Sequence, residues 1–244
     1  MSVNTMENTS FRMGIRDGLP ICLGYLSVSF AFGIFATGAG LSVYEALLIS
    51  MFNVTSAGQL AAVPIIASLG SFVELAMTQL VINLRYALMS VSLSQKLGST
   101  VRMRDRFLIS FVNTDEVFAV SSGKIGKVGR SYMYGLILTP YVGWSLGTLL
   151  GAVAGNILPV MLISALGIAI YAMFTAIVVP FAKSGFKPFL CVATAAFISV
   201  SLYYVPLFEN MSSGFKIIVT AVLTSLIFAF VAPVDEGEGE AANE

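Results

Sequence analysis

The chain has no histidine and only two cysteines among its 244 residues. Without histidine it lacks the commonest general base, the commonest metal ligand and the usual proton switch near neutral pH. Cys22 and Cys191 lie far apart in apolar segments, so we expect small packed side chains rather than a disulfide or a metal cluster. No cofactor is predicted. Because a membrane enzyme would have little chemistry available here, we predict that the protein is not an enzyme.

Charged residues are also scarce. They make up 11% of the chain, and hydrophobic residues make up 57%. Soluble domains typically contain about 25% charged residues and about 45–50% apolar residues. Several apolar runs approach the ~20 residues that a helix needs to cross a lipid bilayer, and the alternating pattern of a lipid-facing barrel is missing. The composition predicts an all-α integral membrane protein, a polytopic helical bundle of about seven to eight segments. Basic and acidic residues cancel at 13 each, and nothing indicates a nucleic-acid partner.

Hydropathy divides the chain into a polar N-terminal leader (1–17), a first membrane half (18–122), a second membrane half (123–232) and an acidic disordered tail (233–244). The leader stays polar until Arg16 and the first apolar run is long enough to cross, so we expect a retained helix rather than a cleaved signal peptide. The predicted segments are 18–38, 42–69, 71–95, 107–122, 132–155, 160–182, 188–205 and 215–231.

Two segments of the first half are interrupted by polar residues, at 53–59 and at 113–116. Such interruptions suggest half-helices that meet inside the membrane. The tetrad at 113–116 fits a capping box, with Asn113 as the N-cap and Glu116 at the third helical position. We therefore expect some segments to be discontinuous.

Basic residues predict which ends face the cytoplasm. The positive-inside rule places the clusters at 12–16, 124–130 and 183–187 there. The basic loop at 96–106 would then face outside if every preceding segment crossed fully. Re-entrant segments would remove this conflict, because non-helical backbone is tolerated in a membrane where it lines a cavity.

A weak internal repeat has an offset of 114 residues: Leu-Ile-Ser at 48–50 recurs at 162–164, and Gly33 aligns with Gly147. Internal repeats are common in secondary transporters, whose binding sites lie at the repeat interface. Whether this repeat would be parallel or inverted depends on the number of crossings.

Charged residues inside apolar runs are the first candidates for a site. A charge at the bilayer centre costs roughly 2.5–3.5 kcal/mol on insertion scales, so such groups usually line a cavity or have a partner. Arg85 could bind a substrate carboxylate in bidentate geometry. Asp115 and Glu116 could bind an ammonium group or carry coupled protons, and Glu74 is a third candidate proton carrier. The alternatives are a structural ion pair or snorkelling for Arg85, and a capping role for Glu116.

Uncharged polar residues of the interrupted segments are the second group. Ser56, Gly58 and Gln59 could present half-helix backbone groups to a zwitterion, since a helix N-terminus suits a carboxylate. The alternative is tight packing at the glycine, with Gln59 as an interhelical hydrogen-bonding residue. Asn53 and Asn83 either contact the substrate or are satisfied within the bundle.

Five short motifs carry a resemblance to a known family: Asn-Leu-Arg at 83–85, Thr-Asp-Glu-Val-Phe-Ala at 114–119, Gly-Leu-Pro at 18–20, Ala-Gly-Gln at 57–59 and the glycine pattern of 143–151. The chain resembles the AzlC family, the large subunit of branched-chain amino acid exporters, named for azaleucine resistance. The resemblance extends from about residue 14 to 231. It implies a multi-pass protein of a prokaryotic cytoplasmic (inner) membrane that works with a small AzlD-type membrane subunit.

The chain departs from the family pattern at two motifs. Thr-Ser-Ala-Gly-Gln stands at 55–59 where the family commonly has Ala-Gly-x-Ser-Gln, and Tyr86 stands where it commonly has histidine. No role of that histidine can be carried over. We predict a secondary transporter that exports small neutral, branched-chain amino acids by alternating access, with possible proton coupling. The alternatives are a channel or facilitator for another small polar solute, and an assembly subunit of a two-component permease.

Overall fold

A computed structural model describes residues 10–155, 157–159, 161, 175 and 178–232. The first nine residues of the predicted leader, the acidic tail, most of the segment at 160–182 and the repeat triplet at 162–164 lie outside the described residues. The named elements are helices α1 (Phe11–Gly38), α2 (Val43–Phe52), α3 (Ser56–Ala67), α4 (Phe72–Lys96), α5 (Met103–Phe111), α6 (Asp115–Ser122), α7 (Arg130–Gly155), α8 (Phe186–Tyr204) and α9 (Ser213–Val231), with a 3₁₀ turn at Pro206–Phe208.

Four of the described helices, α1, α7, α8 and α9, are long and apolar enough to cross a membrane. Helix α4 is less apolar, but its 25 residues extend about 37 Å at 1.5 Å per residue, which exceeds the ~30 Å of a hydrocarbon core. The predicted class, an all-α integral membrane protein, is confirmed.

Both predicted interruptions are confirmed as helix breaks. Helix α2 ends at Phe52 and α3 begins at Ser56, while α5 ends at Phe111 and α6 begins at Asp115. The first break is shorter than predicted, because Gly58 and Gln59 already belong to α3. Helix α5 begins at Met103, before the predicted segment start at 107, because capping hydrogen bonds extend it towards the N-terminus. The carboxylate of Asp105 accepts the backbone N–H of Arg102 at 2.8 Å.

The predicted N-cap is wrong by one residue, and the predicted capping box at 113–116 does not form. Thr114 is the N-cap of α6, and its hydroxyl accepts the backbone N–H of Val117 at 3.4 Å. Asn113 precedes the cap, and its side-chain amide donates instead to the hydroxyl of Ser90 at 3.1 Å. Glu116 accepts a hydrogen bond from the hydroxyl of Tyr25. Both side chains are therefore engaged by other helices rather than by the local backbone.

The described residues fall into two compact units, one within 1–63 and 83–170 and the other within 64–82 and 171–244. The first contains α1, α2, most of α3, the second part of α4 and α5 to α7. The second contains the first part of α4 together with α8 and α9. The division predicted at residues 122–123 stays a prediction.

Helices α1 and α7 form the centre of the first unit and run parallel. Gly143, Gly147 and Gly151 lie against the backbone of α1 at Cys22, Leu26 and Phe30, each pair 121 residues apart. A Cβ atom on Gly143 would lie 2.7 Å from the carbonyl oxygen of Cys22. Glycine on α7 thus lets the two backbones approach, as small residues do in membrane helix pairs.

Helices α2 and α3 form a first hairpin at the end of this pair where α1 and α7 finish. Ser50 bonds to Gln59, and Ala46 belongs to the same apolar cluster as Val63. Since lower numbers on α2 meet higher numbers on α3, α3 returns along α2. The same cluster includes Ala36 of α1 and Ala152 of α7, both near the ends of their helices.

Helices α5 and α6 form a second hairpin at the opposite end. Along α5, Asp105 bonds to Tyr134 near the start of α7, and the ring of Phe111 lies 6.3 Å from that of Tyr141 further along. After α6, Lys124 forms an ion pair of 2.6 Å with Asp17 near the start of α1. The start of α5 and the end of α6 therefore both lie at the end of the unit where α1 and α7 begin.

The two basic loops lie side by side at that same end. Gly98 N–H donates to the carbonyl of Val128 at 2.9 Å, and Val128 N–H donates to that of Lys96 at 3.1 Å. The loop at 96–106 therefore shares an end with the loop at 124–130 and with the start of α1. The second hairpin returns without crossing, so the conflict with the positive-inside rule disappears.

Asp105 is expected to make the folded protein less stable at acid pH. The side chain is buried, and the hydroxyl of Tyr134, followed by the Arg102 N–H, holds the pKa of its carboxyl below the usual value. A depressed folded pKa stabilises the protein above the unfolded value of about 3.9, and this stability is lost as pH falls through the folded value. We expect the melting temperature in detergent to fall below about pH 4.

Asp105→Asn should lower the melting temperature at neutral pH and flatten its fall in acid. Tyr134→Phe should make the fall smaller and complete it at higher pH, because loss of the hydroxyl raises the folded pKa of Asp105 towards the unfolded value, which sets the onset. Identical acid profiles for the wild type and Asp105→Asn would show that another group governs the transition.

Candidate functional site

A cavity of about 150 Å³ lies in the first unit, where the tips of the two hairpins meet. Both tips reach the level of Tyr141 on α7, whose hydroxyl bonds to the carbonyl of Met51 at 3.2 Å and whose ring contacts that of Phe111. The lining consists of the first tip (52–55), residues 110, 111, 113 and 114 of the second tip, and Asn83 and Tyr86 of α4.

Neutral polar groups make up much of the cavity wall. Thr55, Asn113 and Thr114 are all more than nine-tenths buried. The hydroxyl of Tyr86 donates to that of Thr55 at 3.5 Å. The side-chain oxygen of Asn113 is buried and has no hydrogen-bond partner within the described part of the chain. An unsatisfied buried acceptor costs about 1–3 kcal/mol, and a solute would pair with this oxygen only after the Asn113 side chain turns towards the cavity.

Arg85 and Asp115 form an ion pair beside the cavity, with 2.8 Å between Nη1 and Oδ2 and both side chains about half exposed. The second guanidinium nitrogen of Arg85 donates to the hydroxyl of Tyr86 at 3.0 Å. Tyr86 connects this pair to the cavity wall. The structural ion pair considered for Arg85 is therefore present, and its role towards a substrate stays a prediction.

Glu116 lies one residue further into α6 and faces α1. It accepts a hydrogen bond from Tyr25, whose ring packs edge-on against Trp144 with centroids 4.9 Å apart. This contact joins the second tip to the α1–α7 pair. Proton coupling by Asp115 or Glu116 stays a prediction.

Gln59 points away from the cavity lining. Its side-chain amide donates to the hydroxyl of Ser50 at 2.7 Å, and that hydroxyl lies 2.6 Å from the one of Thr148 on α7. All three side chains are fully buried, as expected for the interhelical role considered above. Ser56 and Gly58 lie in the first turn of α3, directly after the cavity-lining Thr55.

Glu74 belongs to the second unit, whereas the other candidates belong to the first. It is buried, and its carboxylate accepts the backbone N–H of Gly214 in the first turn of α9 at 3.0 Å. A carboxylate at a helix N-terminus is stabilised by the helix dipole. The structure thus gives Glu74 a structural partner, and its role in proton coupling stays a prediction.

Asn53 and Asn83, two of the predicted site residues, line the cavity, but the eight other lining residues were missed as site residues. Asn113 was interpreted as a helix cap, and Thr55, Tyr86 and Thr114 were only parts of motifs. A usable signal exists in the sequence, since each tip carries an asparagine and a threonine between a phenylalanine and the next helix.

Comparison with known proteins identifies the family. The family model described as "AzlC protein" matches residues 20–158. Inner membrane protein YgaZ of Escherichia coli K12 is 31% identical over 232 residues, covering 91% of this chain and 92% of that protein. An uncharacterized membrane protein of Archaeoglobus fulgidus is 33% identical over 176 residues, covering 71% and 77%. No solved structure matches the chain significantly. The chain belongs to the AzlC family of membrane proteins.

Proposed function

We propose that the protein is a secondary transporter that exports small neutral, branched-chain amino acids across the cytoplasmic membrane of a prokaryote. One observation carries the proposal: two helical hairpins from opposite ends of the α1–α7 pair meet at a polar cavity. Discontinuous helices that meet at depth are typical of the binding sites of secondary transporters. Membership of the AzlC family and a relative named as an inner membrane protein support the location.

The cavity wall has polar groups for the charged ends of a neutral amino acid and apolar rings for its side chain. Moving an uncompensated charge into an apolar medium is very costly, so the ammonium and carboxylate groups each need a partner. Asn113 offers a free acceptor, Thr55 and Thr114 offer hydroxyls, and Arg85 and Asp115 lie beside the wall. The rings of Phe52 and Phe111 line the same cavity and suit an aliphatic side chain.

The proposal also covers the ion that drives export and the partner subunit. Proton coupling would use Asp115, Glu116 or Glu74, three acids that lie within the predicted membrane segments. The sequence shows no nucleotide-binding motif, so an ion gradient or substrate exchange would drive export. A small AzlD-type subunit is the proposed partner, by family resemblance. No enzymatic step is proposed.

Transport by the purified chain in liposomes tests the function. We expect saturable uptake of labelled leucine into vesicles loaded with unlabelled leucine, against the labelled gradient, and stimulation by a pH gradient if protons are coupled. Uptake without counterflow would indicate a channel. Uptake that requires a co-purified small subunit would identify this chain as an assembly subunit. A panel of neutral amino acids, with lysine and aspartate as charged controls, would define the substrate.

A further inference from the structure

We infer that α1–α3 and α4–α6 are an inverted repeat, and that their hairpins are the outer and inner gates of the shared cavity. The inference rests on the proposed function. It adds to that function by identifying the two hairpins as the parts that move. Each repeat has one long helix followed by a helical hairpin that enters from the end where that long helix finishes.

The two tips share a sequence pattern. Leu-Ile-Ser-Met-Phe-Asn-Val-Thr occupies 48–55, and Leu-Ile-Ser-Phe-Val-Asn-Thr occupies 108–114. In both, the first half-helix ends at the phenylalanine and the second begins directly after the threonine. The offset between the tips, 59–60 residues, differs from the 114-residue repeat predicted above. Equivalent residues, Phe52 with Phe111 and Thr55 with Thr114, face one cavity.

The long helices contact the tips reciprocally. Tyr25 of α1 donates a hydrogen bond to Glu116 in the second hairpin, and Tyr86 of α4 donates one to Thr55 in the first hairpin. The two tyrosines are 61 residues apart, close to the offset of the tips. A two-fold relation between repeats predicts this crossed pattern, in which each long helix holds the hairpin of the other repeat.

The repeats run in opposite directions. Helix α1 begins at the basic end of the unit, where Asp17 pairs with Lys124. Helix α4 finishes at that end, where Lys96 and Gly98 bond to Val128. The second hairpin enters at the basic end and the first at the other. By the positive-inside rule, the second hairpin is the cytoplasmic gate and the first is the outer gate.

Different contacts hold the two hairpins, so one can move while the other stays in place. The first hairpin is attached to α7 through Ser50 and Thr148, whose hydroxyl oxygens are 2.6 Å apart. The second is attached to α4 through Asn113 and Ser90. Moving either hairpin would expose the cavity to one side only, which is the requirement of alternating access.

Cysteine cross-links test the assignment directly. In a background with Cys22→Ala and Cys191→Ala, Thr55→Cys supplies a reporter thiol on the cavity wall, where Thr55 is buried. The outer lock pairs Ser50→Cys with Thr148→Cys, and the inner lock pairs Ser90→Cys with Asn113→Cys, bridged by a short bis-thiosulfonate reagent where needed. Reporter labelling by a membrane-impermeant maleimide is measured in right-side-out and inside-out vesicles, before and after the cross-link forms.

The outer lock should abolish labelling from outside and leave labelling from the cytoplasmic side, and the inner lock should do the reverse. Reduction should restore both, and single-cysteine controls, which cannot cross-link, should resemble the unlocked reporter. Loss of labelling from the same side in both locks would overturn the gates. Failure of either pair to cross-link in folded protein would also overturn them. Because labelling needs no transported substrate, failure of leucine counterflow alone would refute the proposed function and leave the gates standing.

Discussion

Arg85→Gln and Asp115→Asn are each expected to lower leucine counterflow about ten- to hundredfold. Each change removes a charged side chain that we propose as a partner for one end of the zwitterion, because the half-exposed ion pair itself would contribute at most about 1 kcal/mol. Hydrogen bonds to charged groups contribute about 1.5–3 kcal/mol, and about 1.4 kcal/mol corresponds to a factor of ten. Initial rates in liposomes, normalised to folded protein by size-exclusion chromatography in detergent, measure the effect.

A charge swap separates substrate contact from a structural ion pair. Arg85→Asp combined with Asp115→Arg restores the attraction but exchanges the positions of the charges. We expect folding to recover without transport if either group contacts the zwitterion. Recovery of both would assign the pair to structure alone. Arg106→Gln, which removes a cation from α5 that bonds only weakly to the carbonyl of Ser94 at 3.4 Å, is the matched control and should transport normally. Wild-type rates in both single variants would remove the pair from the mechanism.

Gly147→Ala should destabilise the protein, although alanine normally stabilises a helix by roughly 0.5–1 kcal/mol relative to glycine. A Cβ atom at this position would lie 2.5 Å from the carbonyl oxygen and 3.0 Å from the Cα of Leu26. Backbone atoms cannot rotate away, so α1 and α7 must separate. Overpacking typically costs about 1–3 kcal/mol, and Gly147→Ala with Gly151→Ala should prevent isolation of folded protein. Thermal unfolding in detergent provides the measurement.

Gly24→Ala is the control for the helix pair. It changes the same residue type within α1, at a position where an added Cβ meets nothing within 4 Å. We expect its melting temperature to equal or exceed that of the wild type. Equal shifts for Gly24→Ala and Gly147→Ala would mean that close approach of α1 and α7 contributes nothing to stability.

Helix breaks were predictable from the sequence because polar residues inside apolar runs have few stable environments in a membrane. The exact ends were not, because long-range hydrogen bonds decide between neighbouring residues. Asn113 and Thr114 are both good N-caps. The side-chain amide of Asn113 donates to the hydroxyl of Ser90, 23 residues earlier in the chain. Thr114 is therefore the N-cap of α6.

Gln59 and Asn113 show that the sequence also could not predict which amide lines the candidate site. Both are amides within broken segments, and the sequence offers no reason to prefer one. The fold directs Gln59 to Ser50 beside α7 and places Asn113 on the cavity wall. Which side of a half-helix faces the cavity depends on how the hairpin packs, and hydropathy in so apolar a chain carries little information about that.

Composition and hydropathy were enough to predict an all-α membrane protein with interrupted helices, because too few charges exist to cover a soluble surface and polar residues break two apolar runs. The sequence also determined the family, through short motifs around both breaks. Three features came from the folded chain alone: the broken segments are hairpins from opposite ends, both basic loops share one end, and the two tips line one cavity. These features depend on contacts between residues far apart in the chain, which local periodicity and composition do not encode.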